Sequence, residues 1–312
     1  MQKIVSLIIL TYNSRRHLEA LLQSIQKQTY PAIELIVVDN ASRDETVSYL
    51  RGQTIRSVDQ LIVNPENYWF AKGNNIGIAA SHGDYVYICN DDVVLDSNCI
   101  ARLVAVFERK PQCAMVGPKV LKLIDGQPAQ IFDSAGLQRR RSGKVVNRGE
   151  NLADQGQYNT SEAIFGITGA AMLLRRSALE RARYQNEYFD DDYVAYKEDV
   201  DISWRLQRLG YEVYYEPTAI AYHARTMQKN SLEQRGRTRN IIRAYSFRNH
   251  WWTLIKNLSL KDLFINGIWL IPYECAKLAF VFVREWSTLA ILPQCLRGIP
   301  RMWCKRRYYA SL

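Results

Sequence analysis

The sequence predicts an α/β fold: a mostly parallel sheet with helices on both faces, followed by a helical extension. Two observations carry this. Short apolar, β-rich runs alternate with amphipathic stretches through the first half of the 312 residues, the order of a parallel sheet with crossover helices. Three of those runs end in polar or acidic residues, at Thr11-Tyr12-Asn13, Asp39-Asn40 and Asn90-Asp91-Asp92. In open parallel sheets ligands bind at the carboxyl ends of the strands, so an apolar sheet with one polar edge reads as a scaffold for a site.

Residues 5–10 read as the first strand. Their apolar run follows a single Lys and flows into Thr11 with no small-residue cleavage site, which fits a strand better than a signal peptide. Residues 16–28 place Leu18, Leu21, Leu22 and Ile25 at helical spacing. Residues 34–38 make a second strand ending at Asp39, and 44–51 a helix with Ser42 or Arg43 near its cap. Residues 61–63 are a third strand and 72–81 a helix. Residues 84–89 form a buried strand that delivers Asn90-Asp91-Asp92 to the sheet edge. Residues 96–109 turn Leu103, Val106 and Phe107 to one face, and 114–120 return as a strand. Residues 124–160 are rich in Gly, Gln, Asn and Arg, with Arg139-Arg140-Arg141 in a row. They are expected to form a long loop or hairpin over the site, since such loops in compact domains are usually functional. Residues 172–174 are a strand, 177–182 a short helix, and 199–209 a stronger helix stopped by Gly210. Strands at 213–215 and 219–222 lead to His223, and there is no internal repeat.

The hydrophobic fraction of 47% is that of a globular protein. Six cysteines show neither a CxxC pair nor zinc spacing, the pattern of reduced thiols in a cytosolic protein. The net charge of +10 is concentrated: residues 240–312 hold eleven Lys or Arg and three acids, eleven minus three giving +8. Such a surface suits nucleic acid or an anionic membrane.

Five constellations carry chemistry. Asp39, at a strand end before Asn40-Ala41-Ser42, can accept from a nucleobase N–H or form an Asx-turn into a helix cap. Gly73 with Asn74 and Asn75 could open a helix whose backbone amides approach an anion, or be a plain Asn-capped start. Adjacent carboxylates at Asp91 and Asp92 are costly to desolvate; a divalent cation on a polyphosphate would offset that, and a solvated turn is the alternative. Glu198, Asp199 and Asp201 open a helix, where the macrodipole favours acids in any case. Together with residues 188–192 they form a dense acidic cluster, and clustered acids raise one another's proton affinity, as suits a general base. Arg205, four residues after Asp201, could hold it in a salt bridge. His223, at a strand end, could complete a metal site as a neutral imidazole.

Six motifs in order resemble the inverting glycosyltransferases of family 2, and among them the bacterial rhamnosyltransferase-like branch. They are Val5-Ser6-Leu7-Ile8-Ile9-Leu10-Thr11-Tyr12-Asn13, Val37-Val38-Asp39-Asn40-Ala41-Ser42, Gly73-Asn74-Asn75-Ile76-Gly77, Asn90-Asp91-Asp92-Val93, Gly169-Ala170-Ala171-Met172 and Glu198-Asp199-Val200-Asp201. The resemblance covers about residues 3–225 and, more weakly, the tail. It implies a GT-A fold, with a Rossmann-like sheet and a catalytic domain over 1–235. The donor half would reach about residue 120, the acceptor half would start about 121, and the extension would be 236–312. It implies that Thr11, Tyr12, Asn13, Asp39, Asn74, Asn75, Asn90 and Asp91 bind a dTDP- or UDP-sugar. Asp92 and His223 would ligate Mg²⁺ or Mn²⁺, Asp199 would be the catalytic base with Glu198 its neighbour, and Gly169, Ala170 and Trp204 would face the acceptor. The sequence departs from the pattern twice: Asn90 stands where an Asp begins the metal motif, and Trp69 where a Gly is common.

After Ser231 the chain mixes Trp, Tyr, Phe and Ile with basic residues. The run 263–283 contains Pro272, Glu274 and Lys277, which makes it a poor spanning helix. Basic residues beside Trp at apolar borders suit helices in a membrane interface; a packed helical subdomain or an oligomer interface is the alternative. The tail is too apolar for a phosphate-tracking surface, so no nucleic-acid partner is expected. The resemblance implies an enzyme acting on a glycan or lipid-linked glycan, and the reduced cysteines and basic tail place it as a peripheral protein on the cytoplasmic face of the cell membrane. A metal-dependent nucleotidyltransferase is a weaker reading, because Thr11-Tyr12-Asn13-Ser14 is not a Gly-rich phosphate loop. A non-catalytic membrane-binding protein with a degenerate site is the third.

Overall fold

The first strand, β1 (Val5–Thr11), is buried on both sides, with Val5, Leu7 and Ile9 in one core and Ile8 in the other. That is why its sequence is continuously apolar rather than alternating. The computed structural model describes residues 2–53, 58–225 and 232–312. β1 pairs in parallel with β2 (Ile33–Asp39) and β4 (Tyr85–Asn90), and β2 with β3 (Gln60–Val63). The registers set Thr11 beside Asp39 and Leu10 beside Asn90, so the polar strand ends share one rim. α1 (Arg15–Gln26), α2 (Thr46–Arg51) and α4 (Cys99–Arg109) cover one face of the sheet. α3 (Trp69–Ala80), α5 (Arg176–Ala182) and α6 (Glu198–Arg208) cover the other.

α3 starts at Trp69, three residues before the expected start. Gly73 therefore lies in the body of the helix and not at an anion-binding terminus. A Cβ there would meet Leu10 at 2.4 Å, so the glycine lets α3 press against β1. Trp69 has φ 59°, a left-handed conformation that explains why glycine suits this position.

Beyond β4 the sheet becomes mixed. β11 (Ala171–Arg175) runs antiparallel to β4 and to β6 (Cys113–Ile124), and β6 is parallel to β12 (Glu212–His223). β12 absorbs both strands expected at 213–222 and shifts register between Glu216 and Ile220. β5 (Val93–Leu95) and β10 (Glu162–Ala163) pair with β12, and β7 (Gln127–Ser134) with β6. Residues 124–160 thus hold the β6–β7 hairpin and a second one, β8 (Leu137–Arg139) with β9 (Val145–Asn147). The first turns at Asp125-Gly126, both at positive φ, as tight hairpins require.

Four helices follow: α7 (Leu232–Asn257), α8 (Leu260–Arg284), α9 (Trp286–Leu289) and α10 (Leu292–Ala310). The change of character at Ser231 lies outside the described residues, and the 235/236 boundary falls inside α7. α8 runs unbroken through Pro272 and opens with a capping box of Ser259 and Asp262. All six cysteines are free thiols.

Candidate active site

At the ends of β1 and β2, Thr11 and Asp39 are fully buried, and the Thr11 hydroxyl donates to Asp39 Oδ1 at 3.0 Å. Asp39 also accepts the Ser42 amide at 2.8 Å and the Ser42 hydroxyl at 2.5 Å, so it makes its turn as well as lining the rim. Tyr12 is exposed. The Asn13 amide donates to Ser42 Oγ at 2.8 Å, and Asn13 Oδ1 accepts from Arg43 N at 2.8 Å. Asn13, Ala41 and Trp69 all have positive φ. Backbone strain of this kind persists where neighbours over-determine it and gathers at functional sites.

Next along the rim, Ser14 donates to Asp91. Burial, then the charge of Asp92, pushes the Asp91 carboxyl up to about 7. Asp92 meets His223 across facing strands: its Oδ1 lies 3.1 Å from His223 Nε2, and Ala224 N donates to the Asp92 carbonyl at 3.0 Å. Behind the ring, His223 Nδ1 contacts Asp133 Oδ2 at 2.9 Å, and Arg225 pairs with Asp133 and with Glu150. Burial opposes the imidazolium, but bonds to Asp133 and Asp92 and their charges outweigh it and raise His223 to about 9. Without a cation the ring is thus held protonated, not as the neutral imidazole expected; once that proton is displaced, a carboxylate oxygen beside an imidazole nitrogen, with a second carboxylate orienting the ring from behind, is a donor set that fits a divalent cation. The described residues contain no group of three protein ligands, so further ligands would come from phosphate and water, as Mg²⁺ prefers.

The residues leading into β11 bring Asp199 to the same rim. The Asn90 amide donates to the Ala170 carbonyl at 3.0 Å, and the Gly169 amide to Asp199 Oδ2 at 3.1 Å. Asp199 Oδ1 accepts the amide of Val200 at 2.8 Å. A Cβ at Gly169 would lie 3.0 Å from Phe70 Cζ, so the approach is tight. Burial raises the Asp199 carboxyl above its ordinary value, against the two amides and Lys197. Burial also lifts Glu198 to about 8, with the Asp199 charge adding to it. Glu198 Oε1 is buried without a hydrogen-bond partner among the described residues.

The backbone entering α6 is strained, with Val194, Tyr196 and Lys197 at φ 63°, 71° and 77°. α7 holds it there. The Asn249 amide donates to the carbonyls of Tyr193, Ala195 and Tyr196 at 2.8, 2.9 and 2.7 Å. Arg248 donates to those of Asp192 and Tyr193 at 2.9 and 3.0 Å. Beneath lies a buried ionic core. Lys256 joins Asp190 and Asp201, Lys305 joins Asp190, Asp192 and Glu187, and Arg205 meets Asp201 at 2.9 Å. The Arg205–Asp201 pair is the one expected from their spacing. The mutual repulsion expected of the acidic cluster is replaced at Asp190: burial opposes its charge, but Lys256 and Lys305 hold its carboxyl far below the usual range.

Three expected contact residues also make contacts within the fold. The Asn75 amide bonds Phe189 N, Phe189 O and Asp191 at 2.9, 2.7 and 2.7 Å. Asn74 donates to the Phe70 carbonyl at 2.8 Å. Trp204 is buried edge-on to Phe165, under the Arg139 guanidinium at 4.5 Å. Ser14, Asp133, Arg248 and Asn249 belong to the site neighbourhood without having been singled out as site residues. The polar pair Arg248-Asn249 inside an aromatic tail is the one sequence signal that points to any of them.

A sequence model described as Glycosyl transferase family 2 matches residues 6–183. A poly-beta-1,6-N-acetyl-D-glucosamine synthase of Staphylococcus epidermidis is 25% identical over 289 residues, 89% of this chain and 64% of that protein. The uncharacterized protein y4gI of Sinorhizobium fredii is 29% identical over 250 residues, 77% of this chain and 27% of that protein. The chain thus spans less than two thirds of the length of these relatives. Among solved structures, the mannosyltransferase PcManGT of Pyrobaculum calidifontis with GDP-Man and Mn²⁺ superposes with a TM-score of 0.58 at 18% identity, covering 100% of this chain and 86% of that one. GalNAc-T7 with UDP, GalNAc and Mn²⁺ gives 0.62 at 15% identity, covering 81% and 48%. These two likenesses show the fold.

Proposed function

The chain belongs to glycosyl transferase family 2 and has the GT-A fold, and from that premise we propose that it is an inverting, metal-dependent glycosyltransferase. It moves a sugar from a nucleoside diphosphate to a hydroxyl of a glycan or lipid-linked glycan, in the synthesis of a bacterial surface polysaccharide. L-Rhamnose from dTDP is the first donor to test, from the branch resemblance, and a UDP-sugar the second. The observation that carries the reading is the continuous rim: Asp199 is bonded to Gly169, and the adjacent Ala170 to Asn90, which precedes Asp91-Asp92.

On this reading Thr11 and Asp39 take the nucleoside, with Tyr12 and Asn13 at the rim beside them. Asn90 and Asp91 flank the ribose or sugar, and Asp92 and His223 hold Mg²⁺ or Mn²⁺. The cation, when bound, supplies positive charge to the departing diphosphate. Asp199 accepts the proton of the acceptor hydroxyl as that oxygen attacks the anomeric carbon from the face opposite the leaving group. One displacement inverts the configuration. Residues 1–235 make the catalytic part, and 236–312 brace its base side. The enzyme works at the cytoplasmic face of the cell membrane as a peripheral protein.

Titration with dTDP and UDP, with and without Mn²⁺, tests the reading. Binding should depend on metal, and Asp92→Asn or His223→Ala should weaken it about tenfold or more. Asp199→Asn should bind nucleotide as the wild type does and lose transfer by about a hundredfold or more. Near-normal turnover in that variant would remove Asp199 as the base.

A further inference from the structure

α8 is the one helix among the described residues that is long and apolar enough to cross a membrane by length and composition, with a mean hydropathy of 1.2 over its most apolar window. Only 17% of that window is buried. Its charges show how it lies. Glu274 accepts from His250 at 2.6 Å and from Trp251 at 2.9 Å, and Lys277 sits over the Phe247 ring at 5.0 Å. Both charges therefore face α7. The outer side carries Phe264, Ile268, Ile271 and Phe282 at helical spacing, with Phe264 91% and Ile268 71% exposed. No charged residue between positions 263 and 283 lies on that side.

The tail's acids are all engaged internally. Asp262 is bonded to Arg139 at 2.7 Å, Glu274 to α7, and Glu285 pairs with Arg243 at 3.6 Å. The cations divide. Lys256, Lys305 and Arg248 are buried, whereas Lys261, Arg284, Arg297 and Arg307 are exposed. The outward side of α8 is therefore apolar, with an exposed cation at each end of the helix: Lys261 beside the stripe and Arg284, seven residues after Lys277, toward the α7 side. A second copy would bring the same sign of charge to the same face. A bilayer with anionic headgroups matches both parts, since it takes the apolar stripe among its acyl chains and the cations among its phosphates.

We propose that α8 lies in the interface of an anionic bilayer, with Phe264, Ile268, Ile271 and Phe282 toward the acyl chains and Lys261 and Arg284 among the headgroups. The proposal deepens the peripheral-membrane reading above and rests on it. It assigns lipid contact to one helix face, the side of α8 turned away from α7.

Sedimentation of the full chain with vesicles of phosphatidylglycerol and phosphatidylethanolamine tests it. The wild type should pellet with them, and far less with phosphatidylcholine alone. Phe264→Glu with Ile268→Glu should lower the vesicle affinity about tenfold or more, each charge replacing an apolar contact, while Tm stays at the wild-type value because both side chains face solvent. Lys261→Glu with Arg284→Glu should weaken binding and flatten its salt dependence. If the wild type pellets and the Phe264/Ile268 variant pellets equally, the α8 face is wrong and the peripheral-membrane reading stands. If the wild type pellets with no vesicle, both fail. If the same variant turns a lipid-free dimer into a monomer, the face joins two copies and the lipid assignment is overturned.

Discussion

Asp199 is pulled in two directions: the amides of Gly169 and Val200 favour its charged form, and burial disfavours it more strongly. A base must be ionised to act, so activity is lost on acidification. The acid limb of the kcat profile should have its midpoint above the ordinary aspartate value of about 4; a limb at or below that value would mean that another group takes the proton. That Asp39, Asp92 and Asp199 would sit at the rim was legible in the sequence because each lies beside a strand or helix end within a short motif, and His223 because it ends a strand; such placement is local. Ser14 and Asp133 were not. Their partners, Asp91 and His223, are 77 and 90 residues away in the chain, and nothing next to either residue marks the meeting. Asn75 was legible as a polar residue of its motif but not as a bracket for Phe189, 114 positions on.

The strands and helices of the first half follow from period and spacing, because each buries a face against its sequence neighbours. Strand direction beyond β4 does not follow in the same way. The short apolar run that becomes β11 would fit either sense, and its antiparallel course is set by the connection that brings it back beside β4. α7 was legible as a helix-rich segment but not as the clamp on the α6 entry. One buried amide nitrogen of Asn249, with two hydrogens to share, lies within hydrogen-bond distance of three carbonyls. Asn249→Ala would leave those carbonyls without that donor, at a cost of about 1–3 kcal/mol. The strained segment would relax and carry Asp199 off its position. We expect kcat to fall while metal-dependent nucleotide affinity holds, measured by steady-state kinetics beside calorimetry. An equal loss in both would make Asn249 a purely structural residue.

Across the whole molecule, the excess positive charge of the tail has two destinations. The sequence shows its amount and not its partition, because Lys256 and Lys305 look like surface lysines until Asp190 and Asp201 are found opposite them. Removing one partner of a buried pair strands the other, so Lys305→Met should destabilise the fold by about 3–5 kcal/mol. Asp190 is depressed in the folded state. Its contribution is therefore full above the unfolded value of about 4 and fades as pH falls below it. The variant should unfold at a higher pH than the wild type in an acid titration followed by circular dichroism; coincident titrations would show that the pair contributes nothing. The ionic core also has a consequence for the growing chain. Ribosomes build from the N-terminus, so Glu187, Asp190 and Asp192 emerge well before Lys305, the cation that joins all three. The parallel half of the sheet can close around β1 early, while the floor beneath Asp199 waits with unmatched carboxylates for the last long helix. A nascent chain at that stage is folded around β1 and open beside α6, and the open edge is what chaperones and proteases would meet first.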